Sequence, residues 1–145
     1  MFEHILIPID DSAASRRATQ RAIAFAAETG ARVTGYHALP RSTHQVYGDG
    51  YRFPHSGNRE KELEQARKRF LDRAGRAALR AGVAFEALVE RASSPHEGIV
   101  DAARKRKCDL IFMGTHGRRG VARAVLGSVA ASVLKRADVP VLVCR

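Results

Sequence analysis

At 145 residues the chain has the length of one domain, and a domain of that size buries about 68–70% of the surface its unfolded chain exposes, so no disulfide or metal staple is needed. Hydrophobic residues make up 45% and charged residues 28%, and the apolar runs stop at five to seven residues, which excludes a spanning helix of about 20. Two cysteines 36 positions apart form neither a disulfide framework nor a CxxC site, whereas 25 Lys+Arg against 15 Asp+Glu, net +10, points to an anionic partner or a plainly basic surface.

Ile5-Leu6-Ile7-Pro8-Ile9 is apolar throughout, as in a strand buried on both faces. Ser12 then caps a helix predicted over Ala13–Thr29, whose Ala18, Ala22, Phe25 and Ala26 share a stripe and which Gly30 stops. Val33–Leu39 is a second strand, followed by nineteen residues, Pro40–Asn58, without a clear pattern. Arg59–Ala81 is predicted as the longest helix, with Leu63, Ala66, Phe70, Ala74, Ala77 and Ala81 on one face and Gly82 at its end. Val83–Val89 is a third, weaker strand. Ser94-Pro95 opens a helix running to about Lys107, with Arg104, Lys105, Arg106 and Lys107 in its last turn. Asp109–Gly114 is the fourth strand, Ser128–Arg136 a helix, and Val139–Val143 the fifth strand. This alternation implies βαβ units, a parallel sheet and helices on both faces. The N-terminus has no basic stretch before an apolar one, so no signal peptide and a cytoplasmic location are expected.

The most informative segment is Gly114–Ser128. Gly114 ends a buried strand and Gly127-Ser128 begins a helix. Open α/β sheets bind ligands at the carboxyl ends of their strands. A helix start presents unpaired N–H groups and a partial positive charge, and glycine lets a phosphate reach the backbone. Between Leu110 and Ala137 lie Arg118, Arg119, Arg123, Lys135 and Arg136 and no acid. Arg118 and Arg119 are the candidates for phosphate contacts; Lys135 and Arg136 suit a helix C-terminus. The plainer alternative is a connection whose glycines serve only its turns.

On these residues the sequence resembles the universal stress protein family. Nucleotide-binding members carry glycine, two residues, glycine, nine residues, then glycine with serine or threonine. Gly114, Gly117 and Gly127-Ser128 have that spacing. Ile5–Ser12, Asp109–Gly117 and Pro140–Val143 also resemble family motifs, so the likeness covers essentially the whole chain. It implies one Rossmann-like α/β domain over 1–145, an open five-stranded parallel sheet of order 3-2-1-4-5. It also implies ATP or another adenine nucleotide as ligand, with Mg²⁺. By resemblance Gly114, Gly117, Gly127 and Ser128 line ribose and phosphates, and Val129 and Ala130 follow with backbone amides. Pro8 and Asp10 lie beside the ligand, Ala38 meets adenine through its backbone, and Met113 packs nearby. His116 belongs to the same loop. Asp11 departs from the small residue, often glycine, that the family commonly has there, and adds a charge or a cap.

No catalytic residue is assigned. Gly127-Ser128 follows Leu126 and precedes Val129, so the lysine of a Walker loop is missing, and hydrolysis is expected to be slow at most. Asp10 suits a phosphate-bound Mg²⁺ or a helix N-terminus equally. His44, Asp49 and His55 fit no zinc spacing, and no resident metal site is assigned. Cys108 and Cys144 read as small buried groups. Arg59–Arg80 holds eight basic and four acidic residues; it reads as a solvated face laced with pairs such as Glu64–Lys68, and nucleic acid is not expected as partner. The resulting function is a nucleotide-dependent regulator or sensor in the stress response; a Mg²⁺-dependent ATPase or nucleotidyl transferase and a basic nucleic-acid-binding protein stay open as alternatives. Pro140 favours an edge for the last strand, and its apolar residues Val139–Val143 call for cover by a second copy, an arrangement the resemblance also implies.

Overall fold

The computed structural model of the chain describes residues 1–41, 58–115 and 126–145. Five parallel strands form one sheet in the order β3-β2-β1-β4-β5: β1 His4–Pro8, β2 Arg32–Pro40, β3 Phe85–Ala92, β4 Leu110–Gly114 and β5 Val141–Cys144. The predicted topology is thus the observed one. Helices α1 (Ala13–Thr29), α2 (Arg59–Ala66) and α3 (Asp72–Arg80) cover one face, and α4 (Pro95–Lys105) and α5 (Ser128–Arg136) the other. Because both faces are covered, the central strands carry apolar residues on both sides: Ile5, Leu6, Ile7 and Ile111 have no solvent exposure. No described helix is long and apolar enough to cross a membrane.

Helix boundaries follow their local chemistry. Ser12 accepts from the Ser15 amide at 3.1 Å, and Asn58 accepts from the Lys61 amide at 3.2 Å. Gly30 and Gly82 stop their helices at positive φ, 75° and 70°. Ser94 occupies the N-cap position of α4 in extended backbone, yet its hydroxyl makes no cap bond. That helix ends at Lys105, two residues early, because Lys107 has turned to the left-handed region at φ 55°.

Three expected elements are corrected. The long helix is three pieces: a π-helical turn, Arg67–Leu71, separates α2 from α3. The wider turn rotates the buried stripe, so Ala66, Phe70, Leu71, Ala74 and Ala78 are buried while the predicted Ala81 is exposed. β3 runs Phe85–Ala92 rather than Val83–Val89. As an edge strand it accommodates Glu86, Glu90 and Arg91, which hide it from an apolar-run search. β5 starts at Val141 rather than Val139, since Pro140 has no N–H; its carbonyl instead accepts from the Ile111 amide at 3.0 Å. The expected Glu64–Lys68 pair is also not the one formed: Glu64 meets Arg67 at 3.1 Å.

The amino ends of the strands are stitched by polar groups. The Asp109 carboxylate accepts from the amides of Glu3 and His4 at 2.8 and 3.0 Å. Burial would raise its pKa, but these two donors hold it below the ordinary value. His4 is buried with Nε2 at 2.8 Å from Thr34 Oγ1, and burial followed by the Arg32 charge lowers its pKa.

Candidate functional site

The strand order reverses between β1 and β4: from β1 the chain winds outward to β2 and β3, then returns to β4 on the other side. In open α/β sheets the crevice outside the carboxyl ends at such a switch point is where ligands are held. Its β1 side is a compact turn. The Ile9 amide donates to Tyr36 O at 2.8 Å. The Asp10 amide donates to Ser15 Oγ at 3.0 Å, and Asp10 Oδ1 accepts from the Ser12 amide at 2.8 Å. The Asp10 carboxylate therefore lies at the start of α1, where the helix dipole favours it, and one of its oxygens is already engaged. Asp11 also has work: its carboxylate pairs with Arg69 at 2.9 Å and its carbonyl accepts from Arg16. Its acidic side chain ties the β1–α1 turn to the π-helical turn.

Two further contacts from that π-turn stiffen the crevice. Phe70 stacks on His37 with ring centroids 3.7 Å apart, and His37 Nδ1–H donates to Ile9 O at 2.7 Å. The ring beneath the end of β1 is therefore fixed from two sides. His37, buried between strand and helix, had no signal in the sequence beyond one polar residue in an apolar run.

The β4 side is different. The Thr115 amide donates to Cys144 O at 3.0 Å, and the Gly127 amide donates to Thr115 O at 2.7 Å. The two ends of the segment between them are thereby closed onto one point. Gly127 is the N-cap of α5, and its carbonyl accepts from Ala131 at 2.9 Å. Lacking a side chain, it cannot cap, so the first-turn amides of Ser128, Val129 and Ala130 carry no side-chain cap. Unlike α1, which Ser12 closes, α5 starts without a side-chain cap, as α4 does at Ser94. Gly127 has φ −60° and ψ 153°, ordinary extended backbone for any residue. Conformation does not require glycine there. Gly114 answers to another demand: a Cβ on it would lie 3.0 Å from Ala14 O, so glycine lets β4 pack against the first turn of α1.

The predicted site residues within the described structure converge. Met113 and Ala130 are buried in one apolar cluster, against which Ala38 and Val129 pack. Met113 and Ala130 are almost fully enclosed in that core, whereas Ala38 and Val129 are partly buried at its margin. Pro8 and Asp10 end β1, and Gly114 joins β4 to α1. His116, Gly117, Arg118 and Arg119 lie outside the described residues, as do His44, Asp49 and His55. Among the described residues no three His, Cys, Asp or Glu side chains gather to hold a metal. Both cysteines are buried as expected, and burial pushes the Cys108 thiol up to about 12; Cys144 Sγ accepts from Arg21 at 3.2 Å.

Comparison with known proteins places this geometry. Universal stress protein MJ0531 of Methanocaldococcus jannaschii is 34% identical over 148 residues, covering 100% of this chain and 83% of its own. The solved structure of protein MJ0577 superposes with a TM-score of 0.79 at 26% identity, covering 99% of this chain and 95% of its own; MJ0577 is a universal stress protein of Methanocaldococcus jannaschii. Two structures of the same fold contain adenine nucleotides. One is a universal stress protein in complex with cAMP, with TM-score 0.68, 24% identity and coverage of 99% and 97%. The other, from Archaeoglobus fulgidus, is in complex with dAMP, with TM-score 0.68, 21% identity and coverage of 100% and 98%. The sequence model described as the universal stress protein family matches residues 1–145, and with the switch-point crevice and the open start of α5 this chain belongs to the universal stress protein family.

Proposed function

We propose that this protein binds an adenine nucleotide, ATP foremost, across the β1/β4 crevice and acts as a nucleotide-dependent regulator or sensor in the stress response. The observation that carries the reading is the glycine N-cap of α5: ordinary backbone, no side chain, and three uncapped amides behind it. A phosphate is the ligand such a helix start favours. The partly buried Ala38 and Val129, at the margin of the core that holds Met113 and Ala130, would offer an adenine ring a nonpolar surface. The relatives solved with cAMP and dAMP support the same ligand class. On this reading Asp10 would be the carboxylate that holds a phosphate-bound Mg²⁺. We assign no catalytic group: Asp10 Oδ1 already accepts the Ser12 amide, and no lysine adjoins Gly127-Ser128. Isothermal calorimetry with ATP, ADP and AMP tests the reading. Saturable binding of at least one, with GTP weaker, is expected; no heat at millimolar nucleotide overturns it.

The same reading includes a homodimer through β5. This edge strand exposes Leu142, and α5 beside it exposes Leu134. Apolar groups at an open sheet edge are costly unless covered, and a two-fold pairing covers both copies at once. Light scattering at micromolar concentration should return twice the mass of 15.9 kDa; a monomer mass removes the dimer.

A further inference from the structure

We infer that the face formed by α1, the π-helical turn and α3 binds the phosphate backbone of a nucleic-acid duplex, independently of base sequence. Charge is concentrated there. From Arg67 to Arg80 the chain carries Arg67, Lys68, Arg69, Arg73, Arg76 and Arg80 against Asp72 alone. The neighbouring α1 adds Arg16, Arg17 and Arg21 against Glu28. These two stretches hold net +7 of the chain's +10.

The arrangement is ordered. Arg69, Arg73, Arg76 and Arg80 recur at intervals of four, three and four residues, which aligns them on one side of the helix. Arg69 reaches Asp11 at the start of α1, so the stripe borders the seam between α1 and α3. All four residues are exposed. The face is not laced with ion pairs as the sequence suggested. Glu64 is taken by Arg67, Asp11 by Arg69, and Glu62 by Arg91 on β3. Arg73, Arg76 and Arg80 form no ion pair among the described residues, Asp72 being four positions before Arg76 notwithstanding.

Like charges three and four residues apart repel, so beyond the Arg69–Asp11 pair folding gains nothing from setting Arg73, Arg76 and Arg80 in one row, whereas an external anion would relieve their repulsion. The stripe spans about 16 Å at about 1.5 Å per residue. A duplex strand presents a phosphate about every 3.4 Å along its axis, so a row of this length meets four or five phosphates. The row is arginine, whose planar fork matches phosphate oxygens two at a time. Phe70, the one aromatic of Arg67–Arg80, is buried against His37. This stretch therefore offers no stacking platform for unpaired bases, which favours backbone contact with a duplex.

Fluorescence anisotropy with a labelled duplex of about 20 base pairs, titrated from about 50 mM NaCl upward, tests this. Binding should weaken with salt at a log–log slope near about −3.6, since each phosphate contact contributes about −0.9. The triple variant Arg73→Glu, Arg76→Glu, Arg80→Glu should lose at least about 10-fold in affinity. Arg73→Lys, Arg76→Lys, Arg80→Lys should retain most binding, and Arg73→Gln, Arg76→Gln, Arg80→Gln should flatten the slope by about 3, both consistent with phosphate contacts. A charge-matched control, Lys107→Glu, Lys135→Glu, Arg145→Glu, on other parts of the surface, should bind nearly as wild type. The inference is overturned by no binding at the lowest salt, by equal loss in the control, or by an unchanged slope in the glutamine variant. Tighter association with phosphatidylcholine–phosphatidylserine vesicles than with the duplex, helped by exposed Leu79, also overturns it in favour of a membrane surface.

Discussion

Replacing Gly127 with valine should weaken adenine-nucleotide binding by more than about 100-fold, or about 2.7 kcal/mol, while the protein stays folded. The backbone at Gly127 already lies at φ −60°, ψ 153°, a region that β-branched residues prefer. Valine is a poorer N-cap than glycine, so the folded state should lose no more than about 1 kcal/mol. Its methyl groups, however, would stand where a phosphate must come to reach the amides of Ser128, Val129 and Ala130. Calorimetry with ATP and AMP, beside a thermal melt, separates the two effects. A variant that binds like the parent shows that the ligand does not use this helix end; a variant that melts far earlier shows that Gly127 serves packing. Gly114 cannot give so clean an answer. Its missing Cβ is needed 3.0 Å from Ala14 O, so alanine there would disturb β4 against α1 before any ligand entered.

Much of this was legible in the sequence because burial on both faces turns a strand into an unbroken apolar run. β1 and β4 announce themselves in that way, β2 less cleanly because Thr34 and His37 interrupt it, and the alternation with helices carries the parallel order. The start of α5 was legible because Gly127-Ser128 opens an apolar-periodic stretch after a buried strand; that Gly127 takes the N-cap position and leaves it without a side-chain cap only the structure shows. Edge strands were harder. β3 keeps Glu86, Glu90 and Arg91, and β5 is preceded by Pro140, so both boundaries moved. The π-turn was hidden because the helical period runs nearly unbroken through Arg67–Leu71; its cause is tertiary, with Phe70 stacked on His37 and Arg69 drawn to Asp11. Such contacts join residues 33 and 58 positions apart and leave no local pattern. They also change the meaning of Asp11, which reads as a departure from the family and acts as the anchor of that turn.

Arg91→Leu should destabilise the fold by about 3 kcal/mol, lowering Tm by about 10 °C for a chain of this length. The reason lies in how the segment between β2 and α2 is held. Arg91 Nη1 donates to Pro40 O at 2.9 Å, and Arg91 Nη2 pairs with Glu62. One guanidinium on β3 thus clasps the last residue of β2 and the first turns of α2, just as the Gly127–Thr115 bond clasps the other glycine-bearing segment. Removing the guanidinium strands a carboxylate only 6% exposed, whereas Arg91 itself keeps 22% of its side chain in water. The loss is therefore mainly the cost of taking the guanidinium from a buried carboxylate, and it should sit at the low end of the 3–5 kcal/mol seen for broken buried pairs. The double variant Glu62→Leu, Arg91→Leu removes that charge and should recover most of the stability, leaving the lost Pro40 contact at about 1 kcal/mol. Urea unfolding of the four proteins measures the coupling directly. Equal stability of the single and double variants would mean that Glu62 finds solvent without its partner, and that β2 and α2 are held together by packing alone.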